Sequence, residues 1–146
     1  MRDKIIHEAI SWVGTPFIRN ACIKGLGVDC ALLAGGIAIE LGLIQTTQLK
    51  DIPVYDLEYH IHNKDEKMFD ILKSFGCVQL NIQEMQPGDI MTFRYGRSSS
   101  HLGILIDNSQ FVHANSEITN PRVVVNTLNE RYLKILTAAF KFPGVE

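Results

Sequence analysis

A cysteine follows an aspartate at the head of an apolar run in GVDCALLAGG, and two histidines stand far downstream in SSSHLGILID and QFVHANS. Asp29 is a good N-cap residue, which would make Cys30 the first residue of a helix. The positive end of a helix dipole favours thiolate over thiol and lowers a cysteine's pKa, and the thiolate is the nucleophile. A nucleophile of this kind needs a base. His101 opens an apolar strand and would share the face of Gly103, where a missing side chain leaves room for a ring or a ligand. His113 would share the face of Phe111 on the next strand. If Asp107-Asn108-Ser109 is the turn between them, the strands are antiparallel neighbours. His113 could then reach the imidazole of His101 and fix its tautomer, the nucleophile–base–orienter logic of a triad.

Other readings of the same residues stand beside this one. A cysteine in an apolar helix often only packs, and a histidine at a strand end is often simply solvated. Cys30, His101 and His113 could also be zinc ligands, although no fourth ligand stands at a recognisable spacing. Cys22 and Cys77 read as packing or loop residues, with a Cys22–Cys30 redox pair as a remote alternative. His7 reads as a surface residue, and His60 and His62 as weak candidates for a cleft.

The elements that must hold these groups follow from periodicity. Ile5, Ile6, Ala9, Ile10 and Val13 recur at helical spacing over 3–13, and Gly14 and Pro16 end that helix. Residues 14–29 read as a glycine-rich loop. Residues 30–41 are apolar on every side, the pattern of a buried helix, with Gly42 as its C-terminal cap. Gly35 and Gly36 weaken a helix interior, so something should pack very close there. Residues 45–64 read as a long polar loop carrying Tyr55, Tyr59, His60 and His62. Met68, Phe69, Ile71, Leu72 and Phe75 give a second amphipathic helix, ended by Gly76. After Pro87-Gly88 the pattern turns to strands at 89–94, 101–107, 110–115, 121–126 and 135–142. Helices first and strands after imply an α+β layout with an antiparallel sheet.

Bulk properties narrow the classes of function. The 146 residues suit one domain, 1–146. With 46% hydrophobic and 21% charged residues, the chain has an ordinary globular balance. A formal net charge of −2 with scattered basic residues gives no surface for nucleic acid or an anionic membrane. Three cysteines without a CxxC pair argue against a disulfide framework and for a reducing compartment. The N-terminal stretch lacks an apolar signal region, and no apolar run is long enough to span a bilayer. Cytoplasmic synthesis is therefore expected. No cofactor is indicated.

WVGTPF, GVDCALL, SHLGILI and FVHA, in this order, resemble the NlpC/P60 cysteine peptidases. The resemblance runs from the first helix to the closing AFKFPG, and is most similar to the compact forms associated with phages and gene-transfer agents. It implies a papain-like α+β fold in which a cysteine-bearing helix packs on an antiparallel sheet carrying the histidine. By position it makes Cys30 the nucleophile, His101 the general base and His113 the orienter. The backbone amide of Cys30 would contribute to an oxyanion hole. The implied substrate is the peptidoglycan stem peptide, typically its bond between D-γ-glutamate and a diamino acid.

The residues expected to meet substrate are Asp29, Phe17, Ala31 and Ser100. Three departures from the family pattern bear on specificity: Phe17 where tyrosine is common, and Ala31 and Leu32 where serine and glycine are common. The tyrosine and serine hydroxyls help to hold a free substrate amine, and only Asp29 remains of that anchor. The first reading is thus a stem-peptide endopeptidase, with a phage tail and other particle proteins as the expected setting and partners. An inactive tail-assembly protein on the same fold is one alternative, and a cytoplasmic amidase or acyltransferase another.

Overall fold

Asp29 leaves extended backbone (φ −100°, ψ 177°) and its side chain accepts a hydrogen bond from Leu32 N, which starts helix α2 at Cys30–Glu40. Gly42, at φ +68°, ends it, and Leu43 N closes onto Ala38 O at 2.7 Å. In the computed structural model, which describes residues 1–50 and 66–146, this helix is the centre of the fold. Its buried residues run from Cys30 to Ala38 with little interruption, as the all-round apolar pattern requires.

Helix α1 spans Arg2–Ser11 and precedes α2. The expected loop at 14–29 holds a small antiparallel hairpin, β1 (Cys22–Ile23) and β2 (Gly27–Val28). The long loop expected at 45–64 begins instead with helix α3, Thr46–Lys50. Tyr55, Tyr59, His60 and His62 lie outside the described residues. Helix α4 covers Lys67–Ser74, where the second amphipathic helix was expected.

The strands are β3 (Val78–Leu80), β4 (Ile90–Arg94), β5 (Ser99–Leu105), β6 (Gln110–Asn115), β7 (Arg122–Thr127) and β8 (Leu136–Lys141). They form one sheet, ordered β3-β8-β4-β5-β6-β7, and every pairing is antiparallel. The β5–β6 turn is held by Asp107 Oδ1, which accepts from Ser109 N at 2.7 Å and Gln110 N at 2.8 Å. Beyond the hairpin and α3, β3 and α5 (Glu130–Ile135) also escape the periodicity. β3 is a three-residue edge strand, and α5 is a single short helix capped by Asn129.

The sheet buries its two faces differently. Ile90, Leu102, Ile104, Val112, Ala114 and Val123 pack with α1, α2 and α4 in the main core. Met91, Phe93, Leu105 and Phe111 form a smaller core, closed by Leu128, Tyr132 and Ile135 from α5 and its approach.

Close packing explains the paired glycines of α2. A Cβ on Gly36 would lie 2.6 Å from Trp12 Cζ2, and one on Gly35 would lie 2.5 Å from Leu49 Cδ2. The indole is buried, and its Nε1 donates to Glu8 Oε1 at 2.9 Å, so it cannot simply swing away. Alanine gains about 1 kcal/mol of helix propensity over glycine, whereas overpacking costs about 1–3 kcal/mol. Gly36→Val adds two further methyl groups and the helix cost of β-branching. It should lower the urea midpoint clearly without changing the slope of the transition. A midpoint at or above that of the unchanged protein would show that Trp12 yields.

Candidate active site

Cys30 sits where α2 meets the N-terminal end of β5. Its Sγ lies 3.6 Å from Ser100 O, one residue from His101. It is only 3% exposed. Burial pushes its thiol up to about 12, and the neighbouring Asp29 carboxylate adds to the rise. Backbone amides of Leu102, Ala31 and Cys30 pull the other way. The helix-start effect expected from the sequence is therefore present but outweighed by desolvation. Instead of a lowered pKa, the resting site holds a protonated thiol.

His101 and His113 are both buried on the face of the smaller core. His101 Nε2 lies 2.7 Å from His113 Nδ1, the contact that the hairpin geometry predicts. His113 Nε2 in turn lies 2.5 Å from Asn126 Oδ1 on β7. The bond between the two histidines uses His101 Nε2 and leaves Nδ1 as its remaining ring nitrogen. Burial lowers the pKa of both rings, for His101 helped by the nearby His113; a hydrogen bond to Asn126 works against the shift at His113. The space beside Gly103 is filled by a ring. A Cβ there would stand 2.6 Å from Phe111 Cδ2, and the Phe111 ring lies against His113 at 4.5 Å.

Cys30 and His101 come from opposite faces of the sheet but line one cavity, with Phe17, Tyr95, Ser100, Asn115, Ser116 and Glu117. Of the residues expected to meet substrate, Phe17 and Ser100 are at this cavity. Asp29 and Ala31 are not. Asp29 is 1% exposed. Its two oxygens accept from Leu32 N at 2.9 Å and Asn20 N at 2.8 Å, so it is bound up in capping. Ala31 is buried in the main core. Cys22 donates its thiol to Leu32 O at 3.3 Å, Cys77 is buried and His7 is exposed.

Tyr95, Asn115, Ser116, Glu117 and Asn126 were missed. Tyr95, with its ring 5.4 Å from His101, follows a predicted strand, and Asn115 ends another. Nothing in their types marks them as site residues. Asn126 is legible only once the β6–β7 register is known, which pairs Phe111 with Asn126 and His113 with Val124.

A protonated thiol beside a neutral imidazole can form a nucleophile by passing one proton, with no change in total charge. The backbone amides of Leu102, Ala31 and Cys30 favour the thiolate form of that sulfur. Among the described residues, no group of three or more His, Cys, Asp or Glu is arranged to hold a metal ion. Also among them, no helix is long and apolar enough to cross a membrane.

The sequence profile of the NlpC/P60 family matches residues 27–140. The murein DD-endopeptidase MepS/murein LD-carboxypeptidase of Escherichia coli (strain K12) is 25% identical over 134 residues, which cover 92% of this chain and 58% of that protein. The probable endopeptidase NlpC of the same strain is 30% identical over 124 residues, 84% of this chain and 65% of that one. This chain thus spans less than two thirds of the length of either relative. Among solved structures, the NlpC/p60 domain of the peptidoglycan hydrolase SagA superposes with a TM-score of 0.60 at 16% identity, covering 95% of this chain and 97% of that one. An NlpC/P60 family protein from Bacillus cereus ATCC 10987 gives 0.66 at 20% identity, over 97% of this chain and 40% of that one. Both share the α+β fold.

Proposed function

Since the chain belongs to the NlpC/P60 family, we propose that it is a cysteine peptidase that hydrolyses peptide bonds in peptidoglycan stem peptides. The observation that carries this reading is that the Cys30 thiol and His101, itself held at 2.7 Å by His113, line one cavity. In the proposed reaction His101 Nδ1 takes the thiol proton as Sγ bonds to the scissile carbonyl carbon. The backbone amides hold the resulting oxyanion. The C–N bond then breaks, and His101 returns the proton to the leaving amine. Water, activated by the same imidazole, hydrolyses the thioester and frees Cys30.

The sealed Asp29 bears on which stems are cut. Phe17 and Ala31 offer no hydroxyl, and the Asp29 carboxylate is occupied by backbone donors. A substrate ammonium would find neither a free carboxylate at Asp29 nor a hydroxyl at positions 17 and 31, and an ammonium left unpaired is costly to desolvate. The proposed substrate is therefore a stem still joined to its sugar, as in intact wall, and the proposed setting is a wall-opening particle such as a phage tail. Purified sacculi and defined peptides, followed by mass spectrometry, test this. Release of stem fragments is expected, with an N-acylated tripeptide cut at least as fast as its free-amine form. No cleavage of any stem peptide would overturn the peptidase reading. A strong preference for the free amine would overturn only the specificity.

A further inference from the structure

We propose that Asn126 is a positioning residue that fixes the tautomers of both site histidines and so aims the basic nitrogen of His101 at the cavity. The catalytic part rests on the peptidase reading above; the tautomer part rests on geometry alone. The three side chains form a line: Asn126 Oδ1, His113 Nε2 and Nδ1, His101 Nε2. A carboxamide oxygen only accepts. His113 must therefore carry its proton on Nε2, which leaves Nδ1 with a lone pair. That lone pair can accept only if His101 carries its own proton on Nε2. The lone pair of His101 then lies on Nδ1, the nitrogen free of the line.

The position of Asn126 follows from the sheet. It stands opposite Phe111 on β7, diagonal to His113 on the same face, within reach of a medium-length side chain. It is half-buried on an edge strand and does not line the cavity. Without it, His113 could turn its proton to Nδ1. Two N–H groups would then face each other, or His101 would reverse and direct a donor at the thiol.

Histidine 15N spectra of the whole protein, assigned through single-histidine substitutions, read the tautomers without any substrate. In the unchanged protein both rings should show a pyrrole-type Nε2 and a pyridine-type Nδ1. Asn126→Asp keeps an acceptor and should keep this pattern. Asn126→Leu keeps the size without the acceptor, and should give His113 a mixture of tautomers. Against stem peptides it should lower kcat about tenfold with KM little changed, in line with one lost hydrogen bond.

A pyrrole-type Nδ1 on His113 in the unchanged protein would overturn the proposal. So would an unaltered pattern and kcat in a folded Asn126→Leu. If that variant does not fold, loss of the pattern in Asn126→Asp overturns it equally. Failure of the unchanged protein to cut any stem, with both tautomers as stated, would remove the peptidase reading and leave the tautomer assignment standing.

Discussion

Replacing Cys30 with alanine is expected to reduce stem-peptide hydrolysis by a factor of roughly 10⁴ or more, because among the described residues no other thiol lines the cavity. Ser100 also lines the cavity. Its carbonyl accepts the thiol's hydrogen bond, and its Oγ has no hydrogen-bond partner among the described residues. The fold should survive. Cys30 is the first residue of α2, and the cap is made by Asp29 and Leu32, which remain. Cleavage assays beside urea unfolding check both halves. An alanine variant with near-normal turnover would mean that the chemistry lies elsewhere.

His101→Gln should be about as damaging, since nucleophile and base act as one unit. Among the described residues that line the cavity, the other proton-exchanging groups are Tyr95 and Glu117. The Tyr95 phenol is itself pushed up by burial, with Tyr132 adding to the rise, and Glu117 is exposed. Alkali should not restore the variant. With the thiol pushed up to about 12, only about one site in 10³ would hold a thiolate at pH 9. The unchanged protein should behave differently at the acid end. Because burial lowers the pKa of His101 and His113, the rings stay neutral and competent below their usual titration range. Activity should then persist through about pH 6.5, where an ordinary imidazole is half protonated, and fall only at more acid pH. Rate profiles of both proteins between pH 5 and 9 decide the matter. Recovery of the glutamine variant near pH 9 would show that Cys30 ionises unaided, and would remove the role of base from His101.

The parts of this site that the sequence makes legible are those whose residue types already carry chemistry. A capped cysteine and two histidines on neighbouring strands could be placed because Asp29 and the Asp107 turn are local signals. Both act within a few residues of themselves. The close approach at Gly36 was legible for the same reason, although its partner, Trp12, was not. Asn126 depends on a register set by long-range pairing. Helix α5 depends on the smaller core that it closes, and its own six residues carry too little periodicity to announce it. The acidity of Cys30 was misjudged because a helix start is visible in sequence while the depth of burial is not.

That buried, protonated thiol also has a consequence for how the protein ages. Peroxides attack thiolates, and the first product, a sulfenic acid, is the start of a ladder that ends in irreversible loss of the nucleophile. Susceptibility follows thiolate character and exposure. Here Cys22 is pushed up to about 11 and Cys77 to about 12, as Cys30 is, in each case chiefly by burial. A site that makes its thiolate only when a substrate carbonyl is in place exposes the reactive sulfur for the length of a turnover and no longer. Under the proposed reaction, the thiol is chemically quiet between encounters with substrate.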